Sequence, residues 1–212
     1  MVTNEHITQF IAAAHRAGEE RLMLCSSGNL SWKIGNEVLV SGTGSWLPRI
    51  TAEKISICNL ADGAVIKGVK PSMESTFHLG VLRNRPDMNV VLHFQSHYAT
   101  AISCMENKPT NFNVTAEVPC YCGKEIPVIP YFRPGSPELA KAVTEALKEH
   151  DCALMSKHGQ VVCGKDLDDA YQKAVFFEMA CGIIINSGMK YLTLTEEEIN
   201  DLEVYVLGKT TK

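Results

Sequence analysis

Hydrophobic positions recur along this chain with two periods, a helical one and a strand-like alternation, and the switches between them mark out the elements. Ile7, Phe10, Ile11, Ala14 and Ala17 predict an amphipathic helix over residues 3 to about 20, with Thr3 as its cap and Gly18 near its end. Met23, Leu24 and Cys25 lead into a turn-forming cluster, Ser26-Ser27-Gly28-Asn29. Strands over 30–34 and 37–40 flank Gly35-Asn36 as a hairpin, and a small-residue loop, Ser41-Gly42-Thr43-Gly44-Ser45, follows. Residues 55–59 and 65–69 read as further strands around the turn Ala61-Asp62-Gly63. Ser72 is expected to cap a helix running to about residue 85, stopped by Pro86.

The most informative stretch is Asn89 to Thr100, a buried apolar strand that breaks into polar residues at His93. Helix is expected over 98–105, mostly loop over 106–124, and a proline-restricted edge strand over 126–130. A helix over 137–150 opens on Pro137. Strands over 153–156 and 160–163 surround Lys157-His158-Gly159, and helices over 167–186 and 196–206 complete the chain. Strands and helices alternate, yet several strands are hairpin-linked. The expected fold is therefore α/β, with a central mixed, mainly antiparallel sheet sandwiched between helical layers.

The 212 residues fit one domain over 1–212 with a sizeable core. Apolar residues at 45% and charged residues at 21% mark a globular chain, and a net charge of −4 with no basic face argues against nucleic acid. The polar start, Met1-Val2-Thr3-Asn4-Glu5, is unlike a signal peptide, and the apolar runs are too short to span a membrane. A cytoplasmic protein with its eight cysteines reduced is expected. Cys120-Tyr121-Cys122 lacks the usual zinc spacing.

Candidate chemistry gathers at a few points. On an extended chain His93, Gln95 and His97 point the same way, although an ordinary strand end would carry the same polar residues. Glu74 and His158 could add a carboxylate and an imidazole; together these donors suit a catalytic divalent ion with an open position. Taken alone, Glu74 reads as a charge at a helix start, and His78, one turn along from it, as packing or as a support behind the site residues. Ser26-Ser27-Gly28-Asn29, Thr43-Gly44 and Ser72-Met73 offer hydroxyls and approachable backbone N–H groups of the kind that form anion nests, though each alone also reads as a turn or cap.

Gly28-Asn29-Leu30-Ser31, Thr43-Gly44, Lys70-Pro71-Ser72-Met73-Glu74, the His93 stretch and His158-Gly159 occur in an order that resembles the class II aldolase/adducin family, over nearly the whole chain. The resemblance implies a homotetramer with sites between subunits. It also implies a divalent ion, usually zinc, on three histidines. His93 and His158 match two of these, and Gln95 stands where the family has the third. Glutamine is neutral and harder than imidazole, which leaves room for manganese, cobalt or iron. Glu74 matches the family's acid/base carboxylate, where the related pentulose-phosphate 4-epimerases carry aspartate. The family's phosphate loops map to Ser26, Ser27, Gly28, Asn29, Thr43, Gly44, Ser72 and Met73, and its aldehyde-end tyrosine to Asn113, with Tyr205 only near a second one.

The implied activity is metal-dependent, reversible aldol cleavage of a ketose 1-phosphate, L-fuculose 1-phosphate first, to dihydroxyacetone phosphate and L-lactaldehyde. Rival expectations are another 1-phosphoketose such as 5-deoxyribulose 1-phosphate, epimerase or dehydratase chemistry, and a non-catalytic adducin-like module.

Overall fold

The computed structural model describes residues 1–206 and 208. Eight strands form one sheet: β1 (Gly28–Ile34), β2 (Glu37–Ser41), β3 (Ile55–Asn59), β4 (Val65–Gly68), β5 (Val90–Phe94), β6 (Val128–Ile129), β7 (Cys152–Met155) and β8 (Gly159–Gly164). Their order is β4-β3-β2-β1-β5-β8-β7-β6. Every pairing is antiparallel except β6 with β7, so the sheet is mixed. Among the described residues six α-helices cover it: α1 (Asn4–Glu19), α2 (Ser75–Asn84), α3 (His97–Ser103), α4 (Pro137–Ala146), α5 (Leu167–Asn186) and α6 (Glu196–Tyr205).

Strand alternation divides the core into two layers. On one face Leu30, Leu39, Val90, Leu92, Phe94 and Val162 pack against Phe10 of α1, Ile102 of α3 and Tyr171, Phe177 and Ile184 of α5. On the other face Val38, Val40, Val91, Val161 and Cys163 pack against Phe77 and Leu82 of α2 and Leu139 and Val143 of α4. All five residues of β5 are buried, because helices cover both of its faces. Each such Leu, Val or Phe contributes about 2 kcal/mol by leaving water.

The element bounds follow local hydrogen bonds. Thr3 caps α1 as expected, in a capping box completed by His6. Ser72, in contrast, does not cap α2. Its Oγ accepts from the Glu74 N–H at 3.3 Å and its carbonyl from Ser75 at 3.0 Å, closing a separate turn, so Glu74 itself occupies the cap position. Helix α3 begins at His97, one residue earlier than the pattern suggests, because Glu178 of α5 accepts from the Tyr98 and Ala99 N–H groups at 2.8 and 2.9 Å. The 126–130 strand shrinks to two residues between Pro127 and Pro130, which lack N–H groups for a ladder. Helix α4 ends at Ala146, short of His150. Residues 106–124 are largely irregular, with one helical stretch at Val118–Cys122. The eight cysteines are free, five of them buried.

Candidate active site

The site lies at the ends of β1 and β5, on the face covered by α2. In the β1–β5 ladder Asn29 stands directly opposite His93, so the two side chains share that face. Two glycines allow the flanking strands to come this close. A Cβ on Gly28 would lie 2.9 Å from the His93 carbonyl oxygen, and one on Gly159 would lie 2.5 Å from that of Phe94. Gly159 ends the tight β7–β8 turn that presents His158, with Lys157 held at φ +56°.

Glu74, His93 and His158 converge with ligand atoms within 4.8 Å of one another. They are 4, 2 and 7% exposed. Glu74 Oε2 lies 3.5 Å from His93 Nε2, and Glu74 Oε1 lies 3.5 Å from His158 Nε2. His93 Nδ1 is 2.8 Å from the Gln160 carbonyl, which can only accept; Nδ1 therefore carries the hydrogen and Nε2 its lone pair. That lone pair faces a carboxylate oxygen across a gap too long for a hydrogen bond. Two electron-rich atoms so placed call for a cation between them. The donors of a tetrahedral zinc site lie about 3.4 Å apart, given bonds near 2.0–2.1 Å, which the two 3.5 Å separations match. Among the described residues, Glu74 Oε1 and His158 Nδ1 are buried without a hydrogen-bond partner. Burial first, then the nearby His93, lower the His158 pKa to about 4 against the pull of Glu74, so its imidazole is neutral and free to ligate.

These three residues form the floor of a cleft of about 300 Å³. Its walls bring together all eight residues of the expected anion loops, with Gly42, Gln95 and Pro134. The loops are stitched to each other: Gly42 bridges Pro71, Thr43 N–H donates to Lys70 O at 3.0 Å, and Ser72 N–H donates to Ser41 O at 2.9 Å. Those two amides are spent. Among the described residues the Gly44 and Met73 N–H groups have no protein partner, and they remain for an anion with the Ser26 and Thr43 hydroxyls. The Ser27 hydroxyl is engaged with Leu24.

Gln95 reaches the cleft, half-buried, just beyond the end of β5. His97 does not share its direction. The extended backbone stops before it, and His97 lies exposed at the start of α3, away from the cleft lining. Asn113 is buried, its Nδ2 donating to Lys124 O at 2.9 Å, and Tyr205 is 82% exposed. Sequence reasoning missed one contributor and gave another a different role. Pro134 closes one wall, signalled only by the Pro-Gly turn it forms with Gly135. Asn29 was expected at the phosphate, but its side chain instead donates to Glu74 Oε2 at 2.9 Å.

Residues 8–185 match the class II aldolase and adducin N-terminal domain, and the chain belongs to that family of metal-dependent enzymes. It is 36% identical to 3-oxo-tetronate 4-phosphate decarboxylase of Haemophilus influenzae over 84% of this chain and 86% of that one. It is 35% identical to L-fuculose phosphate aldolase of Methanococcus maripaludis, over 81% and 92% of the two chains. Among solved structures, YgbL from Escherichia coli superposes with a TM-score of 0.87 at 29% identity, covering 93% of this chain and 97% of that one; its description leaves aldolase, epimerase and decarboxylase open. An L-fuculose 1-phosphate aldolase shares the fold with a TM-score of 0.87 at 22% identity, over 95% and 96% of the chains.

Proposed function

We propose that this protein is a lyase that breaks a carbon–carbon bond beside the carbonyl of a phosphorylated sugar or sugar acid and passes through the enediolate of dihydroxyacetone phosphate. The observation that carries this reading is the buried Glu74 carboxylate, bracketed at 3.5 Å by an imidazole nitrogen on each side, with Oε1 unpartnered. His93, His158 and Glu74, with Gln95 at the open side, would hold a divalent ion, zinc first among those that suit the set. When bound, such an ion supplies electrophilic stabilisation of the oxygens on which charge develops. The phosphate would lie against Ser26, Ser27, Gly28, Thr43, Gly44, Ser72 and Met73, with the free Gly44 and Met73 N–H groups left for it, while the Asn29 amide is held by Glu74 and His78. Glu74 delivers a proton to the enediolate carbon, and removes it in the reverse direction.

Two reactions reach the same enediolate. In a 3-oxo-tetronate 4-phosphate, breaking the C1–C2 bond releases CO2 and leaves the electron pair across C2 and C3; protonation at C2 gives dihydroxyacetone phosphate. In L-fuculose 1-phosphate, breaking C3–C4 gives L-lactaldehyde and the same species. Aldol cleavage needs a group to take the proton of the C4 hydroxyl, whereas decarboxylation needs none. The position expected to hold the aldehyde-end tyrosine is Asn113, an amide bonded to the backbone. That observation, with the decarboxylase relatives, favours decarboxylation over the aldol cleavage first expected from the sequence.

The test is release of dihydroxyacetone phosphate by metal-quantified protein from each substrate separately, read by a coupled NADH assay. Release with CO2 from the oxo-acid phosphate is expected. Release from L-fuculose 1-phosphate alone reverses the preference, and release from neither overturns the reading. A homotetramer is part of the proposal. Met179 and Ile183 are each 39% exposed on α5, where Tyr98 lies beside Gly182 and Tyr121 packs on Phe176, an apolar face suited to a second copy. Among the described residues no helix is long and apolar enough to cross a membrane.

A further inference from the structure

Behind Glu74 lies a buried chain of polar groups that the proposed reaction does not itself use. Ser31 Oγ is 2.7 Å from His78 Nδ1, His78 Nε2 is hydrogen-bonded to Asn29 Oδ1, and Asn29 Nδ2 donates to Glu74 Oε2 at 2.9 Å. Ser31 and His78 are wholly buried and Asn29 is 6% exposed. The register explains the grouping, since Asn29 and Ser31 are two apart on β1 and share a face, while His78 lies one helical turn along α2 from Glu74.

One arrangement of hydrogens satisfies the run from Ser31 to Glu74, with the Val91 backbone as a further partner of the His78 ring. An ionised Glu74 accepts and cannot donate, so Asn29 must turn its NH2 toward Oε2 and its carbonyl toward His78. His78 Nε2 must then carry the hydrogen, leaving Nδ1 to accept from the Ser31 hydroxyl. Were the imidazole hydrogen on Nδ1, Asn29 would be driven to flip, and its carbonyl would face the carboxylate at 2.9 Å.

We propose that His78 is a positioning residue for Glu74. Acting through Asn29, it fixes one carboxylate oxygen, Oε2, as a hydrogen-bond acceptor and leaves Oε1 as the atom that carries the proton. Among the described residues Oε1 accepts no hydrogen bond and only faces His158 Nε2 at 3.5 Å, so it is the oxygen free to leave the ion and take the proton when substrate binds. The proposal rests on the reading of Glu74 as the acid/base.

Two measurements test it. The first needs no activity. In the metal-free protein, imidazole nitrogen and carbon chemical shifts of His78 are expected to report a neutral ring with its hydrogen on Nε2; a hydrogen on Nδ1 overturns the proposal. The second follows deuterium uptake by dihydroxyacetone phosphate in D2O, catalysed by metal-loaded protein. His78→Asn keeps a polar group only on the Ser31 side and is expected to lower kcat about 10- to 100-fold with KM little changed. His78→Gln restores a donor toward Asn29 and is expected to recover most of that rate. Equal losses in both variants mean packing alone and overturn the proposal, as does full activity in His78→Asn. Glu74→Gln separates the two levels: if it exchanges at the wild-type rate, the acid/base reading itself has failed; if it is inactive while His78→Asn is fully active, only the positioning role has failed.

Discussion

His93 Nε2 and Glu74 Oε2 face each other across 3.5 Å with a lone pair on each side, because the Gln160 carbonyl holds the imidazole hydrogen on Nδ1. A cation between the two atoms would satisfy both lone pairs at once. The protein is therefore expected to bind one divalent ion per chain. His93→Ala or His158→Ala should weaken zinc more than about 100-fold, beyond what loss of a group that merely orients a ligand brings. Competition with a chromophoric chelator measures this, and unchanged affinity in both variants contradicts a metal centre here.

Gln95 gives a second handle on the same ion. Imidazole binds zinc better than a neutral amide oxygen. Gln95→His should raise zinc affinity about 10-fold or more if the side chain reaches the ion from the cleft wall it lines. Equal affinity in the variant and the parent would place residue 95 outside the coordination sphere.

Much of this site is legible in the sequence, and the reasons are physical. The apolar run 89–92 ending at His93 announces a buried strand whose end is polar, and β5 is that strand. The long apolar helix expected over 167–186 is α5 with the same bounds. The His-Gln-His alternation misleads at its last member, because it assumes an extended chain while Glu178, 82 residues from Ser96, caps α3 at this point. A distant carboxylate has no local signature. The same holds for Asn29: its neighbours suggest a phosphate loop, and only the β1–β5 register brings its amide to Glu74, 45 positions away.

Burial first, and then the nearby His93, lower the His78 pKa from 6.5 to about 3, against a hydrogen bond with the Val91 backbone. The folded protein therefore holds this ring neutral while the unfolded chain takes up a proton below pH 6.5. Stability should fall as pH drops from 6.5 toward 3 and be insensitive to this group above 6.5. At pH 4.5 the loss from this one group is about 3 kcal/mol. Urea denaturation of metal-free protein at pH 7 and pH 4.5 should show it, and His78→Gln should narrow the difference. An equal difference in the variant would assign the acid sensitivity to other groups.

Gly159 should tolerate no side chain. An added Cβ would meet the Phe94 carbonyl oxygen at 2.5 Å, a backbone atom that cannot swing aside. Gly159→Ala is expected to cost about 1–3 kcal/mol of stability and to weaken metal binding, because the strain falls on the residue after His158. Calorimetry and metal titration check both, and wild-type values would show that β8 can move away from β5 without disturbing the site.

Glu74→Gln should remove turnover by about 1,000-fold or more, within the range that general acid–base groups supply. Circular dichroism is expected to be unchanged, since Asn29 can still pair with an amide oxygen.

The most direct single measurement is proton exchange into dihydroxyacetone phosphate. Enediolate formation at the unphosphorylated hydroxymethyl carbon is common to decarboxylation and aldol cleavage, so it tests the shared chemistry before either substrate is settled. Metal-loaded protein in D2O should place a single deuteron at that carbon, seen by proton NMR, with the reaction abolished by a chelator and by Glu74→Gln. No exchange by protein shown to carry its metal would contradict the assignment of Glu74 and the enediolate pathway together.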